Sequence, residues 1–162
     1  MPPLSILLKP ASSGCNLRCA YCFYADEASV RAVPNYGLMS KEVSHTLIDK
    51  AAGAAEGSVT FLFQGGEPTL AGLEFYRDFV AHAQNTFPRG LTAQYAIQTN
   101  GTLLDEEWCR FFREHRFLVG LSLDGNRACH DRFRRDGGPT IRSCGPPVCW
   151  TGRGWSTTSS PW

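Results

Sequence analysis

Short apolar runs alternate with amphipathic segments along most of the chain. The runs SILLKP (5–10), SVTFLFQGG (58–66), TAQYAIQTNG (92–101) and FLVGLSLDG (117–125) are rich in β-branched and aromatic residues and predict strands. The segments 40–57, 73–87 and 105–115 carry capping or acidic residues at their starts and Gly, Pro or basic residues at their ends, which predicts helices. This alternation predicts βαβ units, and therefore an α/β fold with a parallel sheet and right-handed crossovers.

Polar and glycine-rich residues follow the predicted strands at their carboxyl ends. These are GGEP after the second strand, QTNG after the third and SLDG after the fourth. Ligands of parallel α/β sheets bind beyond the carboxyl ends of the strands. We therefore expect these residues and the loop after the first strand to face one pocket.

Composition and charge narrow the class of protein. The chain has 162 residues, of which 43% are hydrophobic and 19% charged, so one packed domain is expected. A net charge of +1 gives no indication of a basic surface that would bind nucleic acid. No apolar run approaches the roughly 18 residues that span a bilayer. The first residues, MPPLSILLKP, lack a basic leader region, so we interpret them as the first strand of a cytoplasmic protein.

Cysteines supply the candidate chemistry. The chain has seven, an odd count that argues against a disulfide framework and favours a reducing compartment. Cys15, Cys19 and Cys22 lie on one short loop, CNLRCAYC. A structural zinc site normally takes four protein ligands, whereas a four-iron cluster held by three thiolates keeps one iron open for another ligand. A zinc knuckle that borrows a distant ligand, or three unrelated thiols, remain alternatives.

The second and third motifs have both a ligand interpretation and a plain turn interpretation. In QGGEPTL (64–70), the glycines permit close approach of a ligand and Glu67 can accept hydrogen bonds from an ammonium group. A βα turn with a carboxylate at a helix start explains the same residues. In IQTNG, Gln98, Thr99 and Asn100 offer amide and hydroxyl groups at a strand end, but Asn-Gly is also a good turn.

Each of the remaining motifs also has both a ligand interpretation and a purely structural one. Ser122 and Asp124 alternate with leucines and share one strand face, which suits ribose hydroxyls, although a strand that ends in an Asp-Gly turn looks the same. Arg134 can pair with a carboxylate or belong to a solvated helix face. Tyr24, beside the cysteine loop, can donate to a substrate or simply pack.

The joint order of the motifs is more specific than any one of them. CNLRCAYCFY, GGEPTL, IQTNGTLL, GLSLDG and HDRFR, in that order, resemble the radical S-adenosylmethionine (SAM) enzymes. An aromatic residue, Tyr21, precedes the last loop cysteine, and KPASSGCNLRC and YGLMS resemble the anaerobic sulfatase-maturating enzymes in particular. The resemblance extends from about Leu4 to Gly138, and we expect residues 1–139 to form the N-terminal portion of a radical SAM core.

The resemblance implies a role for each matching position. Cys15, Cys19 and Cys22 would hold a 4Fe-4S cluster whose open iron chelates SAM. The positions that would contact SAM are Tyr21, Gly65, Gly66, Glu67, Gln98, Asn100, Ser122, Asp124 and Arg134. Tyr24 and Gln64 match positions that face the peptide substrate.

The resemblance also implies the reaction and its partners. One electron, from reduced flavodoxin or ferredoxin, would cleave SAM to methionine and a 5′-deoxyadenosyl radical. That radical would take a hydrogen from Cβ of a Cys or Ser in a sulfatase polypeptide, and loss of a second electron would lead to formylglycine. A non-catalytic zinc- or cluster-binding module, and a radical SAM maturase of another peptide, are the alternatives.

The chain departs from the family pattern toward its C-terminus. The family barrel has six βα units, whereas this sequence supplies about four strands, and the family's C-terminal cluster cysteines and proton-accepting acid are missing. Residues 140–162 have no apolar period, and we expect an unstructured tail outside the family. We hypothesise that this tail is read in a shifted frame, because the bases of GWSTTSSPW, shifted by one, can encode VEYNILTV. A half barrel would leave an unpaired hydrophobic edge at strand four, so we expect this chain alone to be poorly stable and inactive as a maturase.

Overall fold

One parallel sheet organises the chain. The structure, a computed structural model, describes residues 2–134. Its strands are β1 (Leu4–Leu8), β2 (Ser58–Phe63), β3 (Thr92–Thr99) and β4 (Leu118–Leu121), in the order β1-β2-β3-β4. All three neighbouring pairs are parallel, which confirms the predicted α/β class with about four strands of a partial barrel. The predicted tail, 140–162, lies outside the described residues.

The crossovers are helical, as the pattern predicts. The helices are α1 (Phe23–Ser29), α2 (Lys41–Ala54), α3 (Leu73–Thr86), α4 (Glu106–Glu114) and α5 (Arg127–Phe133), with a 3-10 turn at Pro68–Ala71. The predicted cap of α2 is confirmed, because the Ser40 hydroxyl accepts a hydrogen bond from the Val43 N–H. Asp105 caps α4 in the same way. Helix α1 was not predicted, since it is short and starts within the cysteine motif.

One face of the sheet packs on the helices through aromatic rings. Val59, Phe61 and Phe63 alternate on β2 and are fully buried. The Phe63 ring lies 5.0 Å from that of Tyr76 and 5.1 Å from that of Phe79, both on α3. Buried aromatic pairs of this kind contribute about 0.5–1.5 kcal/mol each beyond the area that they bury. This core fixes the sheet and so the relative positions of the strand ends.

The opposite face of the sheet carries polar and partly exposed side chains. Thr60 donates to the Gln94 side chain over 3.2 Å, and Gln98 donates to Ser122 over 2.9 Å. Leu7 and Leu118, on the two outer strands, are 51% and 55% exposed. In a barrel this face points inward.

Every strand ends earlier than the sequence predicts. The glycines after β2, Gly65 and Gly66, have φ of 94° and 55°, so the chain leaves the extended conformation as soon as they are reached. Gly101 after β3 has φ 77°. GGEP and SLDG therefore begin at or after the last residues of their strands and reach into loops, whereas Gln98 and Thr99 of QTNG are the last residues of β3. Within residues 2–134, no helix is both long and apolar enough to cross a bilayer.

Candidate cofactor site

The three-cysteine loop follows β1 and lies over the carboxyl edge of the sheet. Cys15 keeps appreciable exposure, while Cys19 and Cys22 are half-buried, and all three are free thiols. Burial raises the pKa of the Cys15 and Cys19 thiols, and the neighbouring cysteine sulfurs raise each pKa further. The three sulfurs are thus close enough to interact electrostatically. The loop is also tied to α5, because the Ala20 N–H donates to the Phe133 carbonyl over 2.8 Å.

Cys15 lies in a polar network that joins the loop to the end of β3. Its sulfur accepts hydrogen bonds from the Leu17 N–H over 3.4 Å and from Asn100 Nδ2 over 3.8 Å. The same Asn100 nitrogen donates to Asn16 Oδ1 over 2.8 Å. Asn16 in turn donates to the Thr102 hydroxyl over 2.7 Å. The segments around Cys15 and around Asn100, which are 84 or more positions apart in the sequence, therefore meet at this sulfur.

Glu67 is a buried carboxylate at the centre of the strand ends. It is 1% exposed. Its Oε1 accepts from the Thr69 N–H, the Thr69 hydroxyl and the Thr99 hydroxyl over 3.0, 2.5 and 2.7 Å. Its Oε2 accepts from the Asn100 N–H over 2.7 Å. Glu67 therefore holds the ends of β2 and β3 together.

The loop after β2 touches the cysteine loop through backbone alone. The Glu67 N–H donates to the Gly14 carbonyl over 2.7 Å. A Cβ at Gly66 would lie 2.1 Å from that carbonyl oxygen, which is far inside van der Waals contact. Gly66 is therefore required both by its positive φ and by the close approach of two backbones.

A second polar cluster joins the cysteine loop, the end of β4 and the end of α5. The Tyr21 hydroxyl donates to Asp124 Oδ2. Arg134 Nη2 donates to Asp124 Oδ1 over 2.9 Å, and the guanidinium carbon lies 5.7 Å from the centre of the Tyr21 ring. We call these three residues the Tyr21–Asp124–Arg134 cluster.

Charge pairing within this cluster controls its protonation. Burial raises the pKa of the Asp124 carboxyl, but the hydrogen bonds from Arg134 and Tyr21 outweigh burial and the net pKa is lowered. Burial and the hydrogen bond to Asp124 raise the pKa of the Tyr21 phenol. The Arg134 charge also lowers the pKa of Cys19, although burial of that thiol dominates. At neutral pH, Asp124 is an anion and Arg134 a cation beside the cysteine loop.

Two further predicted residues lie near a lysine that the sequence analysis did not select. Lys9 Nζ lies 4.7 Å from the centre of the Tyr24 ring. The methylene groups of Lys9 lie against Gly65, where a Cβ would meet Lys9 Cγ at 2.8 Å. Gln64 follows β2, and its N–H donates to the Leu8 carbonyl over 2.9 Å. Gln64 therefore lies at the end of β2, and Tyr24, on α1, places its ring near Lys9 at the end of β1.

Comparison with known proteins identifies the family. The profile of the Radical SAM superfamily matches residues 10–142. The chain belongs to the radical SAM superfamily.

Similar proteins within this superfamily include anaerobic sulfatase-maturating enzymes. A cysteine-type anaerobic sulfatase-maturating enzyme of Clostridium novyi (strain NT) is 48% identical over 84% of this chain and 36% of its own length. A serine-type enzyme of Klebsiella aerogenes is 44% identical over 83% of this chain and 33% of its own length. The solved structure of native anSMEcpe with bound AdoMet (SAM) and Cp18Cys peptide is 46% identical, with a TM-score of 0.77 over 84% of this chain and 36% of that one. The chain thus spans about a third of the length of these relatives.

The residues present fit the cofactors of radical SAM proteins. Three thiols are a soft donor set that suits iron–sulfur clusters. Among residues 2–134, no three His, Cys, Asp or Glu side chains form a site for one metal ion. Thiolates of a cubane bind different irons, so they stand farther apart than the ligands of a single ion. Arg134 supplies a buried Nε without a hydrogen-bond partner in the described part of the chain, which is a donor available to a carboxylate.

The structure brings most of the predicted site residues to one edge of the sheet, although it does not test their roles. Gln98 and Ser122 are paired, Asn100 contacts Cys15, and Tyr21, Asp124 and Arg134 form one cluster. Asn16, Thr102 and Lys9 were missed as members of the site. Asn16 stands within the CNLRC motif, and its polar side chain was the available signal. The contact of Lys9 with Tyr24 crosses a loop, and no local pattern predicts it.

Proposed function

We propose that this chain is the SAM-binding and SAM-cleaving part of an anaerobic sulfatase-maturating enzyme. Cys15, Cys19 and Cys22 hold a 4Fe-4S cluster with one open iron. The observation that carries the proposal is the convergence of the three-cysteine loop, Glu67, Asn100 and the Tyr21–Asp124–Arg134 cluster at the carboxyl edge of one parallel sheet. Ligands of such sheets bind at that edge.

The residues of the chain bind and orient the cofactor. The unpartnered Arg134 Nε donates to the SAM carboxylate. The carboxylate of Asp124 already accepts two hydrogen bonds, but a carboxylate has about four lone-pair sites, so it can still accept ribose hydroxyls. Ser122, held by Gln98, offers a further hydroxyl on the same side. By the likeness to the family, Gly65, Gly66 and Glu67 of GGEP would line the amino group of SAM.

The chemistry itself belongs to the bound cofactors. When bound, the cluster held by Cys15, Cys19 and Cys22 would supply one electron, and SAM would supply the group that abstracts hydrogen. The chain contributes orientation of the bond to be broken and exclusion of water. Tyr24, whose ring lies beside Lys9, and Gln64, which follows β2, face the peptide.

The substrate and the electron donor are further proposals. The substrate is a sulfatase polypeptide, as the names of the relatives suggest. Conversion of its Cys or Ser to formylglycine is what the family resemblance implies. The electron comes from a reduced flavodoxin or ferredoxin. No acid of this chain matches the proton acceptor of the family, so we assign peptide oxidation to the enzyme as a whole and not to residues 2–134 alone. A cytoplasmic location stays a prediction.

Iron and sulfide analysis with a matched cysteine control tests the proposal. The chain is reconstituted anaerobically, reduced with dithionite and incubated with SAM, and 5′-deoxyadenosine and methionine are quantified. We expect about four irons and four sulfides per chain, and loss of both in Cys15→Ala, Cys19→Ala and Cys22→Ala. Cys129→Ala, at an exposed free cysteine outside the loop, is the control and should load normally. Zinc without sulfide in the wild-type chain would overturn the proposal in favour of a non-catalytic metal-binding module.

A further inference from the structure

We propose that Asn100 is a positioning residue that raises the reduction potential of the cluster through a hydrogen bond to the sulfur of Cys15. This inference rests on the proposed function, because it assigns Cys15 to a cluster iron. It differs from the role of SAM contact that the sequence implies for Asn100. In this proposal Asn100 acts on Cys15, a ligand of the cluster, and not on SAM.

The contact has the geometry of an N–H···S hydrogen bond. Asn100 Nδ2 lies 3.8 Å from Cys15 Sγ. The Leu17 N–H donates to the same sulfur over 3.4 Å, from within the cysteine loop. Cys15 therefore receives one donor from its own loop and one from the end of β3. Only the second can be removed by a side-chain substitution.

The orientation of the Asn100 amide is fixed by its partners. Its Oδ1 accepts from the Thr102 N–H over 3.0 Å and from the Thr102 hydroxyl over 2.7 Å. A flipped amide would point its NH₂ group at the Thr102 N–H, and this backbone donor would then lose its acceptor. The NH₂ group must therefore face Cys15 Sγ and Asn16 Oδ1, and the latter accepts over 2.8 Å.

The backbone of Asn100 is held as firmly as its side chain. Its N–H donates over 2.7 Å to Oε2 of Glu67, a carboxylate that is 1% exposed. Glu67 also binds the hydroxyl of Thr99, the preceding residue, over 2.7 Å. The donor is thus pre-organised before a cluster is bound. Pre-organised partners of metal ligands are what tune a metal site.

The effect on the cluster follows from charge. Reduction adds an electron, and part of the added negative charge resides on the thiolate sulfurs. A hydrogen-bond donor at such a sulfur stabilises the reduced state more than the oxidised state, and hydrogen bonds to sulfur are among the determinants of cluster potential. The Asn100 amide therefore makes the cluster easier to reduce.

Potentiometric titration of the reconstituted chain, followed by electron paramagnetic resonance, tests this role. Asn100→Asp keeps the shape but replaces the donor with an acceptor, and Asn100→Leu removes the donor without adding charge. We expect both to lower the midpoint potential, with about a tenfold smaller equilibrium constant for reduction in Asn100→Asp, which is 59 mV for a one-electron couple. Thr102→Val removes one of the two donors to Asn100 Oδ1, the hydroxyl, and keeps the backbone N–H, so it should shift the potential less in the same direction. Asn85→Asp, on the exposed side of α3, is the control for the added charge and should not shift it.

Each outcome decides the proposal. A lower potential in both Asn100 variants, with wild-type iron content, supports it. An unchanged potential in loaded Asn100 variants overturns it and leaves the proposed function standing. Loss of the cluster from both folded variants also overturns it, because Asn100 would then be needed for assembly. A wild-type chain that binds no cluster overturns this inference and the proposed function together.

Discussion

Arg134 Nη2 donates a hydrogen bond to Asp124 Oδ1 over 2.9 Å, and this ion pair joins the end of α5 to the loop after β4. The side chains are only 14% and 22% exposed, so water screens the pair weakly. The Tyr21 hydroxyl binds the other oxygen of the same carboxylate and brings the cysteine loop into the pair. The end of the sheet and the proposed cluster loop are therefore assembled around one anion.

Arg134→Gln should weaken binding of SAM to the cluster-loaded chain. The substitution removes the buried cation and its Nε donor, and charge-assisted hydrogen bonds are worth about 1.5–3 kcal/mol, so we expect at least about a tenfold rise in Kd. Calorimetric titration with SAM measures it. Arg110→Gln, on the exposed side of α4, is the matched control and should bind as the wild type does. Equal affinities of Arg134→Gln and wild type would contradict the role of Arg134.

Asp124→Asn should remove a pH-dependent part of the stability of the metal-free chain. The folded state lowers the pKa of Asp124, so its contribution is present above the ordinary value of about 3.9 and is lost as pH falls through the folded pKa. Denaturant unfolding between pH 7 and pH 2.5 measures this. We expect the gap in unfolding free energy between wild type and Asp124→Asn to close in acid. A gap that is constant with pH would show that Asp124 acts without its charge.

Glu67→Gln should destabilise the fold by about 2–3 kcal/mol, since it weakens several hydrogen bonds to a buried carboxylate. The new NH₂ group would also face the Asn100 N–H, which needs an acceptor. Denaturant unfolding at pH 7 measures the loss. Glu114→Gln, at the exposed end of α4, should change stability by no more than about 0.5 kcal/mol. If the two variants were equally stable, Glu67 could not be holding the strand ends together.

Gly66→Ala and Gly53→Ala should have opposite signs. At Gly66 the added Cβ would lie 2.1 Å from the Gly14 carbonyl oxygen at φ 55°, so we expect loss of stability and displacement of the cysteine loop. At Gly53, inside α2, nothing lies within 4 Å of the added Cβ, and alanine should stabilise the helix by about 0.5–1 kcal/mol. Unfolding curves and iron loading of the two variants check the contrast. Normal loading of Gly66→Ala would mean that the two loops do not need their close contact.

The sheet could be predicted from the sequence because its signals are local. β2 alternates buried Val59, Phe61 and Phe63 with partly exposed residues, and the polar faces of α3 and α4 follow the helical period. The cap at Ser40 was visible for the same reason. Helix α1 and the early ends of the strands could not be predicted. They depend on the paths of the loops through the fold and on the positive φ angles of Gly65, Gly66 and Gly101.

The site could be predicted as a set of motifs but not as a set of contacts. Asn100 looked like a turn residue or a SAM contact, and its bond to Cys15, 85 positions away, comes from the parallel sheet. Glu67 looked like a ligand for an ammonium group, and its hydrogen bonds to Thr69, Thr99 and the Asn100 backbone could not be predicted. Such pairings join residues that only the tertiary fold brings together.

Electron paramagnetic resonance of the reconstituted, dithionite-reduced chain, with and without SAM, tests the central claim most directly. The account predicts a reduced 4Fe-4S signal that changes when SAM is added, because the fourth iron has no protein ligand and binds SAM. Arg134→Gln should need more SAM for the same change, and Cys15→Ala should give no such cluster. A cluster signal that SAM leaves unchanged, or a chain that binds zinc and no sulfide, would contradict the account.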